Sequence, residues 1–161
     1  MTTAKPIARK LVKEILQSLE TVFDITLAAE DYHFFQNNRN RIFLLKKSEH
    51  FETINLEFLR TDRMGLYLAE YKNGFLRPSM QGMQFLVAEA KKQGKTPKNM
   101  LEIHKEQAEK FFKGEELEMP EQADAQGLIV TYQGNILGFA QAKGGQILNY
   151  MPKTFRGTTI M

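Results

Sequence analysis

Cysteine is missing from all 161 residues. Its absence excludes disulfides, cysteine-ligated metal and any thiolate nucleophile, and it fits a reducing compartment. No apolar run approaches the roughly 20 residues that span a bilayer. No signal-type apolar segment follows the start Met-Thr-Thr-Ala-Lys-Pro, so a cytoplasmic location without membrane contact is expected. A third absence is local. From Gln126 to Met161 there is no Asp or Glu, while Lys143, Lys153 and Arg156 give this stretch three positive charges, as many as the formal net charge of +3 for the whole chain. A surface offering amides, tyrosines and unopposed cations at strand ends suits a polyanion better than a small neutral metabolite.

What is present builds a core. A hydrophobic content of 42% supports one domain or two small ones sharing a core, and argues against wholesale disorder. Ile7, Ala8, Leu11, Val12, Ile15, Leu16 and Leu19 recur at helical spacing and predict a first helix. Tyr32 to Phe35 and Arg41 to Leu45 read as strands around the turn-forming Gln36-Asn-Asn-Arg-Asn40. Leu56 to Arg60, Gly65 to Tyr71 and Phe75 to Arg77 read as further strands, the last two joined by Lys72-Asn-Gly74. Ser79 is placed to cap a second helix that stops near Gly94. Thr96-Pro97 reads as the start of a third, with Met100, Leu101, Ile103, His104, Ala108, Phe111 and Phe112 on one face and Gly114 at its end. An acidic connection, Glu115 to Asp124, leads to three strands between Gly127 and Tyr150.

This order predicts an α+β protein: a small N-terminal helix-plus-hairpin module, residues 1–55, then a mixed β-barrel with two covering helices, residues 56–161. The strands of 56–77 and 127–150 are each too short to bury themselves, so their pairing in one barrel-like sheet is the economical arrangement.

Catalytic chemistry finds no foothold. His33, His50 and His104 lack metal-ligand spacing, and His104 reads as a semi-buried residue of an apolar helix face. The acidic connection lacks the alternating Asp/Asn and central Gly of a calcium loop and reads as a solvated linker. No serine sits in a Gly-x-Ser-x-Gly context, and no strand leads into a glycine-rich nucleotide turn. The expectation is no enzyme, no cofactor and no metal.

Two stretches carry a family resemblance. Phe58-Leu-Arg-Thr-Asp-Arg-Met-Gly-Leu-Tyr-Leu-Ala-Glu-Tyr-Lys-Asn-Gly-Phe-Leu-Arg-Pro-Ser79 resembles the opening of PUA-type RNA-binding domains. Tyr132-Gln-Gly-Asn-Ile-Leu-Gly-Phe-Ala-Gln-Ala-Lys-Gly-Gly-Gln-Ile-Leu-Asn-Tyr-Met-Pro-Lys-Thr-Phe-Arg156 is similar to the end of the PUA-like domain of RsmF-type ribosomal RNA cytosine methyltransferases. Ribosome-assembly factors with a pre-PUA module before a PUA domain share the length and two-part layout. The family's lysine before Asn149 is Leu148 here, and another falls near Gln141, with Lys143 two residues on. The methyltransferase chemistry itself would need a Cys nucleophile, which the chain lacks.

The resemblance implies a PUA-like barrel that binds structured RNA, ribosomal or transfer RNA, in ribosome assembly or RNA modification. The candidate RNA-binding residues are Arg60, Arg77, Lys143, Asn149, Tyr150, Lys153 and Arg156. The cations would position phosphates, and Asn149 with Tyr150 would read or stack a base. Lys143-Gly-Gly145 reads either as a phosphate-meeting loop or as an ordinary hairpin turn, and Tyr150 either as a base platform or as core. Arg63 reads as an extension of the basic face or as solvated, while Arg39 and Arg41 would form a second contact point. The alternative function is a protein-interaction adaptor with a PUA-type barrel, serving an RNA-modifying enzyme or a ribosome-assembly factor.

Overall fold

The computed structural model describes residues 3–51, 61, 63–153 and 156. The expected strand at Leu56 to Arg60 therefore lies outside the described residues. Among the described residues the chain is mixed α/β, with three α-helices and two five-stranded sheets, and is compatible with a PUA-like fold.

The first sheet holds β1 (Lys5–Pro6), β2 (Tyr32–Gln36), β3 (Arg41–Lys46), β4 (Leu66–Lys72) and β5 (Phe75–Pro78), in that spatial order. Helix α1 (Arg9–Phe23) buries Ile15 and Leu19 of the stripe that its spacing predicts, and Phe23 one turn further on. Between β4 and β5, Asn73 and Gly74 both adopt positive φ, 53° and 78°, which is what a two-residue hairpin loop demands. Helix α2 (Met80–Lys92) follows directly, capped as expected by Ser79, whose hydroxyl accepts from the Gly82 N–H at 2.9 Å.

The second sheet has the order β6 (Met100–Glu102), β8 (Ala125–Tyr132), β9 (Asn135–Lys143), β10 (Gln146–Asn149) and β7 (Leu117–Glu118). Strand β8 runs Leu128-Ile-Val-Thr131 with every residue buried. Leu128 and Val130 pack toward α3 (Lys105–Phe112), and Ile129 toward α1 and α2. A strand covered on both faces needs no polar alternation.

Four expectations are corrected. The strands at 66–78 do not pair with those at 125–149 in one barrel. They continue the N-terminal hairpin instead, because β3 pairs antiparallel with β4, across the expected division at 55/56. Sequential antiparallel pairing closes the shorter loop, and consecutive strands are commonly neighbours. The third helix also starts later than Pro97. Met100 to Glu102 form β6, parallel to β8, and α3 begins only at Lys105. A short stretch such as Met100-Leu-Glu-Ile103, with three apolar residues, fits either period, and the open edge of β8 decides it. His104 is accordingly an exposed N-cap rather than a semi-buried face residue. Its ring nitrogen Nδ1 accepts from the Gln107 N–H at 3.4 Å, while the Gln107 side chain accepts from the His104 N–H at 3.1 Å. The acidic connection is likewise partly ordered, since Leu117 is buried and β7 pairs with β10.

One apolar cluster joins the two sheets. It combines Ile15, Leu19 and Phe23 of α1, Ile42 and Leu68 of the first sheet, Met83 and Leu86 of α2, and Ile129 and Phe139 of the second sheet.

Candidate nucleic-acid interface

The mouth of this junction is a cleft of about 610 Å³, bounded by the first sheet, the first turn of α2 and the β9–β10 end of the second sheet. Among the described residues its lining carries five cations, Arg41, Arg63, Arg77, Lys153 and Arg156, and one carboxylate, Glu70.

Strand register builds the first wall. Arg41 stands opposite Glu70, and Glu70 opposite Arg77, so the three side chains form a row across β3, β4 and β5 on one face. The pairing slips between Ile42 and Phe43: Ile42 faces Ala69, but Phe43 faces Tyr67. The extra residue is Leu68, and the bulge brings Tyr67 to the face of Glu70, which strict alternation would forbid. The Arg41 guanidinium then lies 5.3 Å from the centre of the Tyr67 ring. Burial holds the Tyr67 phenol above its usual pKa; Arg41 pulls it down and Glu70 pushes it up. Arg77 donates to Glu70 at 2.9 Å and reaches across to the second sheet, 5.7 Å from the centre of the Tyr150 ring.

The floor is the start of α2, where Ser79, Met80 and Gln81 line the cleft. The Ser79 hydroxyl donates to the Tyr67 carbonyl, and its backbone N–H donates to the Leu68 carbonyl at 2.9 Å. The positive end of the helix dipole is thereby held against the basic lining.

The opposite wall comes from the end of β10 and the turn beyond it. Asn149 is fully engaged: its amide donates to the carbonyls of Phe111 at 2.7 Å and Glu115 at 2.9 Å, and its oxygen accepts from the Met151 N–H at 2.8 Å. It clamps the end of α3 to β10. The Tyr150 hydroxyl donates to the Gln141 side chain at 2.7 Å, and its ring packs 5.8 Å from Phe139. Its ring is part of the core margin and also lines the cleft. Arg156 donates through Nε to the Met151 carbonyl at 3.2 Å. It lies across Gly114, where a Cβ would come within 2.4 Å of Nε. Lys153 is exposed.

Five of the seven sequence-derived site residues thus share the cleft: Arg77, Asn149, Tyr150, Lys153 and Arg156. Arg60 lies outside the described residues. Lys143 sits apart, at the far end of the β9–β10 hairpin, four residues or about 13 Å along the strand from Phe139. Its loop is a two-residue turn with Gly144 and Gly145 at φ 59° and 79°. The Gly144 N–H already donates to the Asp124 carboxylate at 2.9 Å, so the turn reading holds and the amide is not open to phosphate. Arg41 and Tyr67 are the cleft residues that the sequence placed elsewhere or passed over.

Residues 98–157 match the family model described as the PUA domain of the methyltransferase RsmF. This segment is similar to the PUA domain of RsmF-type methyltransferases. The match covers fewer than half of the residues, and no curated protein matches the chain. Within the PUA-like domain lie Asn149, Tyr150, Lys153 and Arg156; Arg41, Arg63, Tyr67, Glu70, Arg77 and the start of α2 precede it.

Proposed function

We propose that the chain binds structured RNA, ribosomal or transfer RNA, and does no chemistry on it, acting in ribosome assembly or RNA modification. The observation that carries this reading is the cleft, where the described residues place five cations around one carboxylate, with Tyr67 and Tyr150 among them, at the margin of the segment that matches a PUA domain. Phosphates attract such a lining by charge, and the two Arg–Tyr pairs offer planes on which a base stacks. The absence of cysteine removes the thiolate with which an RsmF-type enzyme would attack cytosine.

Fluorescence anisotropy with labelled ribosomal RNA and tRNA fragments at two salt concentrations tests the reading. Affinity should fall steeply with salt, with a log–log slope near −3 if about four phosphates are neutralised. The double reversal Lys153→Glu and Arg156→Glu should weaken binding at least tenfold while circular dichroism stays unchanged. Salt-independent affinity, or full affinity in the double variant, removes the cleft from the account.

A second reading has its own support. Asn149 and the Tyr150 hydroxyl, the polar groups best placed to read a base, are spent on internal bonds. That arrangement suits an adaptor that docks on an RNA-modifying enzyme. A stable hetero-complex that forms without RNA, together with no RNA affinity at low salt, would favour it.

A further inference from the structure

We propose that the RNA site is composite. Its first wall, Arg41, Arg63 and Tyr67, belongs to the segment ahead of the PUA-like domain, and the cleft between the two takes a single-stranded stretch of RNA rather than a duplex. This inference rests on the RNA reading above and adds which parts of the chain hold the ligand and in what form.

Three observations carry it. The first is the distribution of charge. Of the five cations lining the cleft, Arg41, Arg63 and Arg77 come from before residue 98, and only Lys153 and Arg156 from the matched domain. Neither Arg41 nor Arg63 makes an ion pair among the described residues, where the ion pairs are Arg77–Glu70 and Lys92–Glu89. Arg63 is fixed by its backbone: its N–H donates to the Thr61 hydroxyl at 3.3 Å, and its carbonyl accepts from that hydroxyl at 2.7 Å. The side chain is exposed.

The second observation is aromatic. Arg41 lies over Tyr67 within the first sheet, and Arg77 lies over Tyr150 between the sheets. An arginine beside an aromatic ring joins a cation to a stacking surface, and successive bases of a single strand stack on such surfaces with little regard to sequence. The Arg41–Tyr67 platform exists only because of the β4 bulge at Leu68, so it is a property of the first sheet.

The third is size. At about 610 Å³, the cleft is in the range of ~300–1,000 Å³ that encloses one drug-sized ligand. It admits roughly one or two unpaired nucleotides. A duplex would stay on the rim, reaching Lys153 but not the Tyr67 platform.

The test compares two labelled RNAs of one sequence, a blunt hairpin and the same hairpin with a single-stranded 3′ tail, in anisotropy titrations of the full chain. Wild type should bind the tailed RNA at least tenfold more tightly than the blunt one. Arg41→Gln and Arg63→Gln should each lower affinity for the tailed RNA by about tenfold, the loss expected when a stacking or phosphate partner goes, and should leave the blunt hairpin's affinity nearly unchanged. Arg63 is exposed, so its variant keeps the test sound if Arg41→Gln perturbs folding. Full affinity of both variants for the tailed RNA, with loss in the Lys153/Arg156 reversal, would show that the PUA-like domain binds alone, which overturns the composite site and leaves the RNA reading intact. Equal affinity for blunt and tailed RNA would overturn the single-stranded preference. No RNA binding by wild type would remove both readings.

Discussion

Glu70 decides how available the cleft is. It stands between Arg41 and Arg77 in the strand register and holds the Arg77 guanidinium at 2.9 Å. A phosphate that enters must displace this carboxylate or tolerate its charge. Both partners are partly exposed, so the pair itself is worth little, and repulsion of the ligand is the larger effect. Glu70→Gln preserves shape and removes the charge, and RNA affinity at low salt should rise about threefold to tenfold. Weaker binding in the same anisotropy assay would show instead that Glu70 aims Arg77 at the ligand. At this scale the sequence reveals the cations but not their company. Arg77, Lys153 and Arg156 stand out because strand ends or a carboxylate-free tail surround them. Arg41 reads as a turn arginine because its partners Glu70 and Tyr67 are distant in sequence, and only the register across β3 and β4 unites them. Lys143 misleads for the converse reason: Asp124, remote in sequence, folds back to occupy its loop.

Elements position these residues through one close contact. At Gly82, a Cβ would come within 1.8 Å of the Leu68 carbonyl oxygen, so the first turn of α2 rests on the backbone of β4 at the bulge. Gly82→Ala must push helix from strand, since backbone cannot swing aside as a side-chain tip can. A loss of about 1–3 kcal/mol or more is expected in urea unfolding. RNA affinity should fall as well, because the same turn floors the cleft; unchanged stability would mean that the helix can lift without cost. The capping serine and the apolar stripes of α1 and α2 are legible in the sequence because they are local. The β6 edge strand is not, because Met100 to Ile103 fits helix and strand alike until β8 offers its edge. For the same reason, the barrel expected from short strands gives way to two sheets, since the choice between competing pairings is a tertiary one.

At the scale of the whole molecule, the cleft has its shape only if the two sheets stay docked. They share a core in which Ile129 and Phe139 of the second sheet meet Phe23 of α1, Leu68 of β4 and Leu86 of α2, with Phe23 and Phe139 edge to face at 6.5 Å. Neither sheet can open without exposing the other's apolar face, so the chain should unfold in one cooperative step despite its two-sheet layout. Native-state hydrogen exchange checks this at named positions. The slowest amides of Ile42 and Leu68 in the first sheet should open with the same free energy as those of Ile129 and Ala140 in the second. Phe139→Ala should lower both together, by about 3–5 kcal/mol. A lower ceiling confined to β8 and β9 would mean that the PUA-like domain unfolds alone. The cleft would then exist for only part of the time, and a ligand held by both walls would bind more weakly by the fraction of molecules in which they are apart.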